Sequence, residues 1–469
     1  MGPSALGAIL AGLLAVLILA GCGGRPPGEE PLLAGVAVVD ITPPVPYRMS
    51  GYFNERLSTG VANPLHAKAL VLQQGGWRAA MVFCDLIGVT RDVSSRARKQ
   101  AAQETGIPPE NILIAATHTH TGPLYAGALR DHLHERAVAK LGSDPYEKAN
   151  YADQLVAGLV KAISKAAAAS KPVRLEAGAV EQNALAFNRR FHMKDGSVVF
   201  NPGVLNPNIV QPAGPTDPQV GVVLIRDAAS GKAVAGIVNF AMHLDTMGGT
   251  LYAADYPFFL ERALRKELGE DFVLLFGTGT CGDINHIDVT RKDRPTTEQI
   301  GGALAATVQA GLGGLKPVAP GLTCRGRTVD VPMPQFTPEQ LAQARNDITK
   351  VGTKDLPFLA QVEAYKRLNV EARAGKTTPL EVQVFRLGED VAVVGLPGEP
   401  FVELGLAIKK ASPFGTTLVI ELCQDCPGYV PTKKAFAEGS YETVNSTIAP
   451  GGGEMLVEAA RQLLKELAR

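Results

Sequence analysis

The sequence has no excess of either charge, few cysteines and no second long apolar run after its N-terminal segment. Its 46 basic side chains balance 46 acidic ones, and its pI is near 7.1. Because nucleic-acid partners usually require a basic excess, this balance argues against a polyanion-binding protein, although not against a local basic patch. Six cysteines in 469 residues are too few for a disulfide scaffold. Beyond the N-terminal segment, no apolar run approaches the roughly 20 residues that a transmembrane helix needs.

The composition is that of a globular chain with a large core. Hydrophobic residues make up 46% and charged residues 20% of the chain, which excludes global disorder. The 50 glycines and 33 prolines predict many ordered loops. The length allows one large domain or about two to four ordinary ones, but no clear linker divides the body. We therefore expect residues 34–469 to form a single large mixed α/β domain.

The N-terminal segment has the features of an export signal. Residues 5–21 are uncharged and mostly apolar, and Cys22 follows at once, which is typical of a secretory signal peptide rather than a spanning helix. The ending Leu-Ala-Gly-Cys resembles a bacterial lipobox, which implies removal of residues 1–21 and lipidation of Cys22. Residues 22–33 would then be a flexible tether, and the protein an exported lipoprotein of the cell envelope, anchored to the membrane by lipid chains. Since the first four residues contain no Lys or Arg, the alternative is an uncleaved anchor or a misassigned start.

Strand-like and helix-like segments alternate along the body. Short apolar runs flanked by turn residues are typical of buried strands; they lie at 36–39, 69–72, 79–84, 112–116, 235–240, 272–276, 382–385 and 391–394. Polar or amphipathic stretches predict helices; they lie at 92–105, 151–169, 257–268, 337–373 with a break at 352–357, and 454–467. Strand, helix and strand over 79–116 predict a crossover unit with a parallel pair of strands.

Two of the eight histidines directly follow an apolar strand. His118 and His120 lie in Thr-His-Thr-His-Thr-Gly-Pro, just after residues 112–116. At a strand end, residues two apart point to the same side of the sheet, and open α/β sheets bind ligands at the carboxyl ends of their strands. Since imidazole is the commonest metal ligand, the pair indicates a metal site. The alternative is a polar strand end that faces water.

Three further strand ends carry polar side chains or a flexible loop. They are His243, the glycine-rich loop 277–286, and Glu399. A lone histidine such as His243 is more often structural, and Glu399 is either a ligand or base, or an acid near a helix N-terminus. The loop does not match a phosphate-binding loop, because no Gly-Lys-Ser/Thr follows it. His132 and His134 lie in a charged stretch, and we interpret them as surface residues.

Cys423 and Cys426 form a Cys-x-x-Cys pair just before Tyr429. A four-cysteine zinc site would need two more close thiols, and the remaining cysteines of the body show no pairing pattern. In an oxidising, exported setting a local disulfide between Cys423 and Cys426 is favoured. The alternative is a pair of free buried thiols.

Five motifs of the body occur in one order along the chain. They are His118-Thr-His120-x-Gly-Pro, Asn239-Phe-Ala-x-His243, Gly282-Asp283, Pro397-Gly-Glu399 and Gly428-Tyr429-Val. Together they resemble the neutral, non-lysosomal ceramidase family, and residues 39–44 and 49–52 are similar to that family's opening. The similarity covers about residues 34–460. Each motif is weak alone, whereas five in the right order are a strong signal.

The resemblance implies that residues 34–469 are a zinc-dependent amidohydrolase domain that cleaves the N-acyl bond of ceramide or a related lipid. By motif position, the zinc ligands would be His118, His243, Glu399 and Tyr429. The catalytic residues would be His120 beside the attacking water, Arg189 in the family's substrate-site Asn-Arg, and Tyr441 as its second active-site tyrosine. The implied partners are a lipid or other small amide substrate and, through the anchor, a membrane, but no nucleic acid.

The chain departs from the family in three ways. Asn285 and His286 stand where the family often has Ser and Pro, the segment with Cys423 and Cys426 alters the lip before Tyr429, and the chain ends before the C-terminal sandwich domain of the ceramidases. Three alternatives stay open: a zinc hydrolase of another amide, ester or lactone, a non-catalytic binding lipoprotein on the same fold, and the unrelated barrel amidohydrolases. The barrel class also begins with His-x-His and usually adds two later His and a metal-binding Asp, whereas here only His192, His243 and His286 follow.

Overall fold

The structure is a computed structural model, and it describes residues 30–469. The predicted signal peptide, Cys22 and the tether up to residue 29 lie outside the described residues. Leu32 is already buried in the core, so the folded body begins within the last residues that we assigned to the tether. Between residues 30 and 469, no helix has the length and apolar character that crossing a membrane would require.

The described chain alternates strands and helices throughout, as the sequence predicts. The strands are β1 (Leu33–Asp40), β2 (Gly60–Val61), β3 (His66–Gln74), β4 (Trp77–Cys84), β5 (Ile112–Ala116), β6 (Lys171–Glu181), β7 (Phe187–Asn188), β8 (Arg190–Met193), β9 (Val198–Phe200), β10 (Ile209–Pro212), β11 (Gln219–Asp227), β12 (Ala233–Phe240), β13 (Leu251–Tyr252), β14 (Val273–Thr278), β15 (Ile284–Asn285), β16 (Lys316–Pro317), β17 (Pro320–Pro332), β18 (Thr377–Gly388), β19 (Val391–Gly395), β20 (Glu399–Pro400), β21 (Thr416–Ile420) and β22 (Tyr429–Val430). The helices are α1 (Arg91–Thr105), α2 (Ala128–Leu141), α3 (Tyr151–Ala168), α4 (Tyr256–Leu268), α5 (Thr297–Gly311), α6 (Pro338–Asp347), α7 (Phe358–Arg373), α8 (Val402–Ala411), α9 (Lys433–Glu438), α10 (Tyr441–Val444) and α11 (Gly452–Leu467).

Two sheets form the frame of the fold. The larger sheet has the order β14-β12-β11-β6-β1-β3-β4-β5, with β16 beside β6. Its two halves are joined at just two residue pairs, where Leu33 and Ala34 of β1 meet the start of β6. The second sheet has the order β17-β18-β19-β21. The fold is therefore built from three layers, namely the two halves of the larger sheet and the second sheet.

The three layers share one apolar core. Side chains from all three enter the same buried cluster, for example Leu70 and Met81 from the first half, Ile237 from the second half, and Phe385 and Val393 from the second sheet. Each layer then buries its other face against helices: α1 and α3 cover the first half, α4 and α5 the second half, and α8 and α11 the second sheet. Because strand side chains alternate between faces, both faces of each layer are apolar, which explains the continuous hydrophobic runs in the sequence.

Each layer contains one parallel pair of strands joined by a helix. The pairs are β4 and β5 through α1, β12 and β14 through α4, and β19 and β21 through α8. The first pair confirms the crossover predicted for residues 79–116. The local signals for its helix are clear, since Thr90 accepts a hydrogen bond from Val93 N at the N-cap and Gly106 ends the helix with φ 70°.

The carboxyl ends of the three parallel pairs meet at one place. Ala116 N donates to Leu422 O and Gln424 N donates to Ile114 O, which joins the end of β5 to the segment after β21. Glu421 N donates to Thr278 O, which joins that segment to the end of β14. Side chains that follow these strands are therefore brought into contact from all three layers.

Candidate metal centre

Three side chains from the three layers converge at this meeting point. His118 follows β5, His243 follows β12, and Glu399 follows β19. His118 Nε2 lies 3.1 Å from His243 Nε2, and Glu399 Oε2 lies 3.3 Å from the first nitrogen and 3.4 Å from the second. All three residues are buried, at 2%, 0% and 7% exposure. Of the two interpretations of Glu399 that the sequence left open, the structure supports the one in which its carboxylate faces the histidines.

Backbone carbonyls fix the orientation of both histidine rings. Nδ1 of His118 lies 2.8 Å from Ile87 O, and Nδ1 of His243 lies 2.9 Å from Cys281 O. Because a carbonyl oxygen can only accept, each Nδ1 carries a proton, and Nε2 of each ring is directed to the other side, where it offers a lone pair whenever the ring is neutral. Two imidazole nitrogens and a carboxylate oxygen thus face one another in a space from which water is largely excluded.

The electrostatics of this cluster favour a positive charge at its centre. Although burial opposes a charged imidazole, the Glu399 carboxylate raises the pKa of His118 to about 9. Burial, and then the Arg189 guanidinium, lower the pKa of His243 to about 4. Burial alone would raise the pKa of Glu399, but the two histidines hold it well below its usual range. A proton or a metal cation can supply this positive charge.

The spacing of the three atoms fits a metal ion. Zinc binds His N and carboxylate O at about 2.0–2.1 Å in tetrahedral sites, so neighbouring ligand atoms lie about 3.3 Å apart. The observed separations of 3.1, 3.3 and 3.4 Å match this value. Glu399 Oε2 is buried and has no hydrogen-bond partner among residues 30–469, so a cation would supply the contact that this oxygen lacks.

The backbone at His118 adopts a conformation that side chains rarely take. Its φ is 79°, in the left-handed region, and the strand ends two residues earlier at Ala116. The strand alternation that we used to place His118 and His120 therefore does not apply, yet their ring centroids still lie 5.1 Å apart. His118 N donates to Leu86 O at 2.8 Å and helps to hold this turn. Strained backbone of this kind is concentrated at functional sites, where contacts with the surrounding structure stabilise it.

Tyr429 lies next to Glu399 in the structure. The short parallel strands β20 and β22 pair Glu399 with Tyr429, and the Tyr429 ring is stacked on the His243 ring with centroids 6.5 Å apart. Burial and the charge of Glu399 raise the pKa of the phenol well above its usual value. Tyr429 is thus brought to the same centre as the three facing atoms.

His120 lies beside this centre but is held differently. Its ring centroid lies 5.1 Å from that of His118 and 5.7 Å from that of His243. Both of its ring nitrogens are buried, and neither has a hydrogen-bond partner in the described part of the chain. Burial, followed by the charge of His118, lowers its pKa to about 3. His120 is therefore neutral at neutral pH, with one donor and one acceptor nitrogen available to a bound molecule.

Tyr441 and Arg189 complete the group that the sequence motifs identified. The Tyr441 ring lies 5.5 Å from the Tyr429 ring, and burial raises the pKa of its phenol, so it is a hydrogen-bond donor at neutral pH. Arg189 lies against the Tyr429 ring at 5.3 Å, donates to Glu442 Oε1 at 2.9 Å and donates to Gly282 O at 2.7 Å. All seven predicted site residues therefore lie in one connected cluster.

An aromatic wall surrounds the approach to this cluster. Phe200 and Phe358 lie against Tyr441 with ring centroids 4.7 and 5.6 Å away, and Phe53 contacts both Phe358 and Tyr441. Tyr52, which is 40% exposed, lies 5.6 Å from the His120 ring. Of these residues, the motif comparison pointed only to Tyr52. The phenylalanines stand alone in loops or at element ends, where no sequence pattern relates them.

Two acidic side chains near the centre, one buried and one partly buried, were also missed. Glu421 is completely buried, and its two oxygens contact the amide and thiol of Cys281. Asp245 accepts from His286 Nδ1 at 3.1 Å, and that histidine stands where the family often has proline. Glu421 follows a continuous apolar strand in the same way as Glu399, and this signal could have identified it.

A second histidine and carboxylate cluster lies in and after α2. One ligand atom each from His134, Asp144 and Glu147 lie within 4.8 Å of one another. Arg48 Nη1 contacts Asp144 at 2.5 Å and Glu147 at 3.1 Å, and Arg130 also binds Glu147. Since arginines already neutralise these acids, the cluster is an ion-pair network. His134, whose side chain is 35% exposed, is a member of this network at the protein surface.

Cys423 and Cys426 are both free thiols within residues 30–469. The Cys423 side chain packs in the shared core, with Sγ beside Gly395, whereas Cys426 packs against the layer beneath α1 and α3, with Sγ beside Gly88. The disulfide favoured by the sequence is therefore not formed in the structure, because the two side chains enter different packing regions.

The chain is similar to known proteins over most of its length. The family described as "Neutral/alkaline non-lysosomal ceramidase, N-terminal" matches residues 32–286. The chain is 25% identical over 491 residues to a neutral ceramidase of Pseudomonas aeruginosa, covering 90% of this chain and 70% of that protein. It is 26% identical over 267 residues to neutral ceramidase A of Dictyostelium discoideum, covering 54% of this chain and 35% of that protein.

Solved structures share the fold over nearly the whole chain. The crystal structure of the neutral ceramidase from Pseudomonas aeruginosa has a TM-score of 0.71 at 22% identity, covering 94% of this chain and 75% of that chain. A ceramidase complexed with C2 has a TM-score of 0.69 at 21% identity, with the same coverage. The mixed α/β fold predicted from the sequence is confirmed.

Proposed function

The chain belongs to the neutral/alkaline non-lysosomal ceramidase family, and from this premise we propose that it is a zinc-dependent hydrolase that cleaves the N-acyl amide bond of ceramide or a related lipid. Family membership supports a ceramidase-type hydrolase. The zinc, the amide bond and the lipid are the parts that we add. The observation that carries the proposal is the set of three mutually facing acceptor atoms of His118, His243 and Glu399, 3.1–3.4 Å apart.

We propose that His118, His243, Glu399 and Tyr429 hold the metal. Two neutral imidazoles and a carboxylate are usual zinc ligands, whereas a tyrosine is less usual; for Tyr429 the support is its place opposite Glu399 and the family resemblance. A zinc ion bound there would polarise the substrate carbonyl and make a water molecule nucleophilic near neutral pH.

His120 would move the proton that hydrolysis requires. Amide hydrolysis adds water across the C–N bond, so a proton must leave the attacking water and reach the leaving nitrogen. The ring of His120 is neutral, and its nitrogens have no partner among the residues that the structure describes. One nitrogen can therefore accept the proton of the water, and the ring can then donate a proton to the amine as it leaves.

Tyr441 and Arg189 would act on the substrate side of the centre. The Tyr441 phenol can donate a hydrogen bond to the carbonyl oxygen as it gains negative charge, and one such donor is worth about 3–4 kcal/mol of transition-state stabilisation. Arg189 contacts the Tyr429 ring and is fixed by the buried Glu442. This cation would orient Tyr429 and place positive charge beside the bound polar head group.

The aromatic wall supports a substrate with a long apolar part. Phe53, Phe200 and Phe358 form its apolar members, and Phe358 is 48% exposed although it stacks on Tyr441. An acyl chain that covered these rings would gain about 25 cal/mol for each Å² of apolar surface removed from water.

We further propose that the protein is exported and reaches such substrates as a lipoprotein anchored through Cys22.

The test combines metal analysis with a substrate series. The purified protein should contain about one zinc per chain and should hydrolyse a short-chain ceramide faster than a simple amide or an ester of the same acyl group. His118→Ala should lose both zinc and activity. His132→Ala is the matched control, because that histidine lies on α2 with no role in the centre, and it should retain both.

Two results would contradict the proposal. A wild-type protein that neither contains zinc nor takes it up would remove the metal site. A zinc protein that prefers the ester, or that leaves every N-acyl lipid intact, would keep the site but change the reaction to that of another hydrolase.

A further inference from the structure

Glu421 occupies the point where the three layers meet. It directly follows β21, is 0% exposed, and its backbone amide donates to Thr278 O at the end of β14. A carboxyl group in such a position is costly to bury unless its oxygens are bonded to the protein. Its contacts therefore indicate what the residue does.

Both oxygens of Glu421 are engaged by a single residue, Cys281. The Cys281 amide donates to Oε2 at 2.9 Å, and the Cys281 thiol lies 3.1 Å from Oε1. The neighbouring amides of Gly279 and Gly282 donate instead to the backbone carbonyls of Phe240 and Pro400. In this glycine-flanked segment, the amide of Cys281 is thus held by a side chain.

The carbonyl of the same residue orients a proposed metal ligand. Cys281 O accepts from His243 Nδ1 at 2.9 Å, and Cys281 Sγ lies 3.4 Å from that nitrogen. Glu421 and His243 therefore bind the two ends of one residue. A shift of the whole Cys281 residue would therefore displace its carbonyl and change the direction of the His243 Nε2 atom.

We propose that Glu421 is a positioning residue for the metal centre, which fixes Cys281 so that its carbonyl holds His243 in the orientation and the Nδ1-protonated form that metal binding requires. This inference rests on the proposed function, because it takes His243 to be a zinc ligand. Groups that orient metal-bound histidines typically change metal affinity by about 10- to 100-fold when they are removed.

The experiment measures the zinc dissociation constant of folded variants by competition with a chromophoric chelator, without reference to activity. Glu421→Leu removes both contacts to Cys281 and should weaken zinc binding by about 10- to 100-fold. Glu421→Gln keeps an oxygen for the Cys281 amide and should bind zinc within about threefold of the wild type. The Gln variant thus acts as the conservative rescue.

Glu261→Leu is the matched control. Glu261 is also a buried glutamate, at 7% exposure, and it also accepts from a backbone amide, that of Leu274 at 3.0 Å. That amide lies near the start of β14, away from the metal centre. Replacement of Glu261 by Leu should lower thermal stability but leave the zinc dissociation constant unchanged. The control therefore separates a positioning effect from a general loss of packing.

The outcomes separate this inference from the proposed function. If wild-type protein binds no zinc, the proposed function fails. If wild-type protein binds zinc and folded Glu421→Leu binds it equally well, the positioning role is overturned. The role is also overturned if Glu421→Gln or Glu261→Leu weakens zinc binding as much as Glu421→Leu does. If Glu421→Leu does not fold, Glu421→Asp takes its place, because the shorter side chain withdraws the oxygens from Cys281. Weakened zinc affinity in that variant would support the positioning role, and unchanged affinity would overturn it.

Discussion

His120 differs from His118 and His243 in what its ring can do. The other two rings each give Nδ1 to a backbone carbonyl and direct Nε2 to the centre, whereas both nitrogens of His120 have no partner over residues 30–469. A ring without fixed partners is suited to exchanging protons with a substrate, and a ring fixed by a carbonyl is suited to holding a metal. In the proposed reaction, the same residue type would therefore serve two roles at one site.

His120→Ala and Tyr441→Phe should lower kcat by about 100-fold or more while zinc content stays near that of the wild type. The reason is that both side chains are proposed to act on the reacting atoms and not on the metal. Steady-state kinetics with parallel zinc analysis measure the effect, and His118→Ala, which should lose zinc, is the contrasting variant. Loss of zinc in Tyr441→Phe would instead make that tyrosine part of the metal-binding set, and an unchanged kcat in both would remove them from the mechanism.

At the scale of elements, the segment between β21 and β22 is held by main-chain contacts more than by its cysteines. Gly398 N donates to Asp425 O, and Gln424 N donates to Ile114 O. The Asp425 carboxylate is bonded by Arg373 from the end of α7. These contacts position Tyr429 from several elements, so a covalent link between Cys423 and Cys426 is not needed to shape the segment.

The structure predicts that Cys423 and Cys426 are thiols in the folded protein. Denatured, unreduced protein treated with a thiol reagent should gain one label at each position, identified by mass spectrometry of the peptides. Native protein should label slowly, because Cys423 is 1% exposed and burial raises the pKa of Cys426 to about 12. Labels that appear only after reduction would restore the disulfide expected from the sequence.

The sequence predicted the helices and strands better than it predicted the tertiary contacts between them. The crossover unit of β4, α1 and β5 is encoded locally by an apolar run, a helix capped by Thr90 and Gly106, and a second apolar run. Every strand predicted from an apolar run overlaps an observed strand. By contrast, α2 was missed because its short apolar stripe, with Leu129 and Leu133 as the buried members, is masked by surrounding charges.

At the scale of the whole molecule, the site could be listed from the sequence only because its motifs resemble those of a known family. Residue patterns alone suggested His118, His120, His243 and Glu399 as candidates, each with a structural alternative. What decides between the alternatives is the convergence of three strand ends that are about 120 to 280 residues apart in the chain, and no local pattern encodes such a contact. Glu421 shows the same limit, since its partner Cys281 lies in a different layer.

Anchoring of the whole molecule is a prediction that rests on the N-terminal residues alone. Wild-type protein should fractionate with membranes, and Cys22→Ser should release it or leave it uncleaved, because the thiol that would receive the lipid is lost. Cell fractionation and intact-mass analysis measure this. Cys324→Ser is the control, since that thiol is buried in the body. If Cys22→Ser changes neither fractionation nor mass, the lipobox interpretation is wrong.

Stability of the whole fold should depend on pH through Asp85, a buried carboxylate that the proposed reaction does not use. Asp85 follows β4, is 5% exposed, and accepts from His66 N at 2.9 Å and from the Thr117 hydroxyl at 3.4 Å. Burial raises its pKa from 3.8 to about 6. The folded state therefore binds this proton more tightly than the unfolded chain does, so the stabilisation is fully present below about pH 4 and is lost as the pH rises to about 6.

Asp85→Asn should remove this dependence, because the amide keeps an acceptor for His66 N and cannot ionise. A pKa difference of this size is worth on the order of 3 kcal/mol, so the wild type should lose about 3 kcal/mol more unfolding free energy than the variant between pH 4 and pH 7. Urea unfolding at stepped pH values measures both proteins. Asp40→Asn is the control, since that carboxylate is exposed at the end of β1, and it should follow the wild-type curve. A constant difference between wild type and Asp85→Asn across this range would show that Asp85 ionises as readily in the fold as in the unfolded chain, and that its two hydrogen bonds offset its burial.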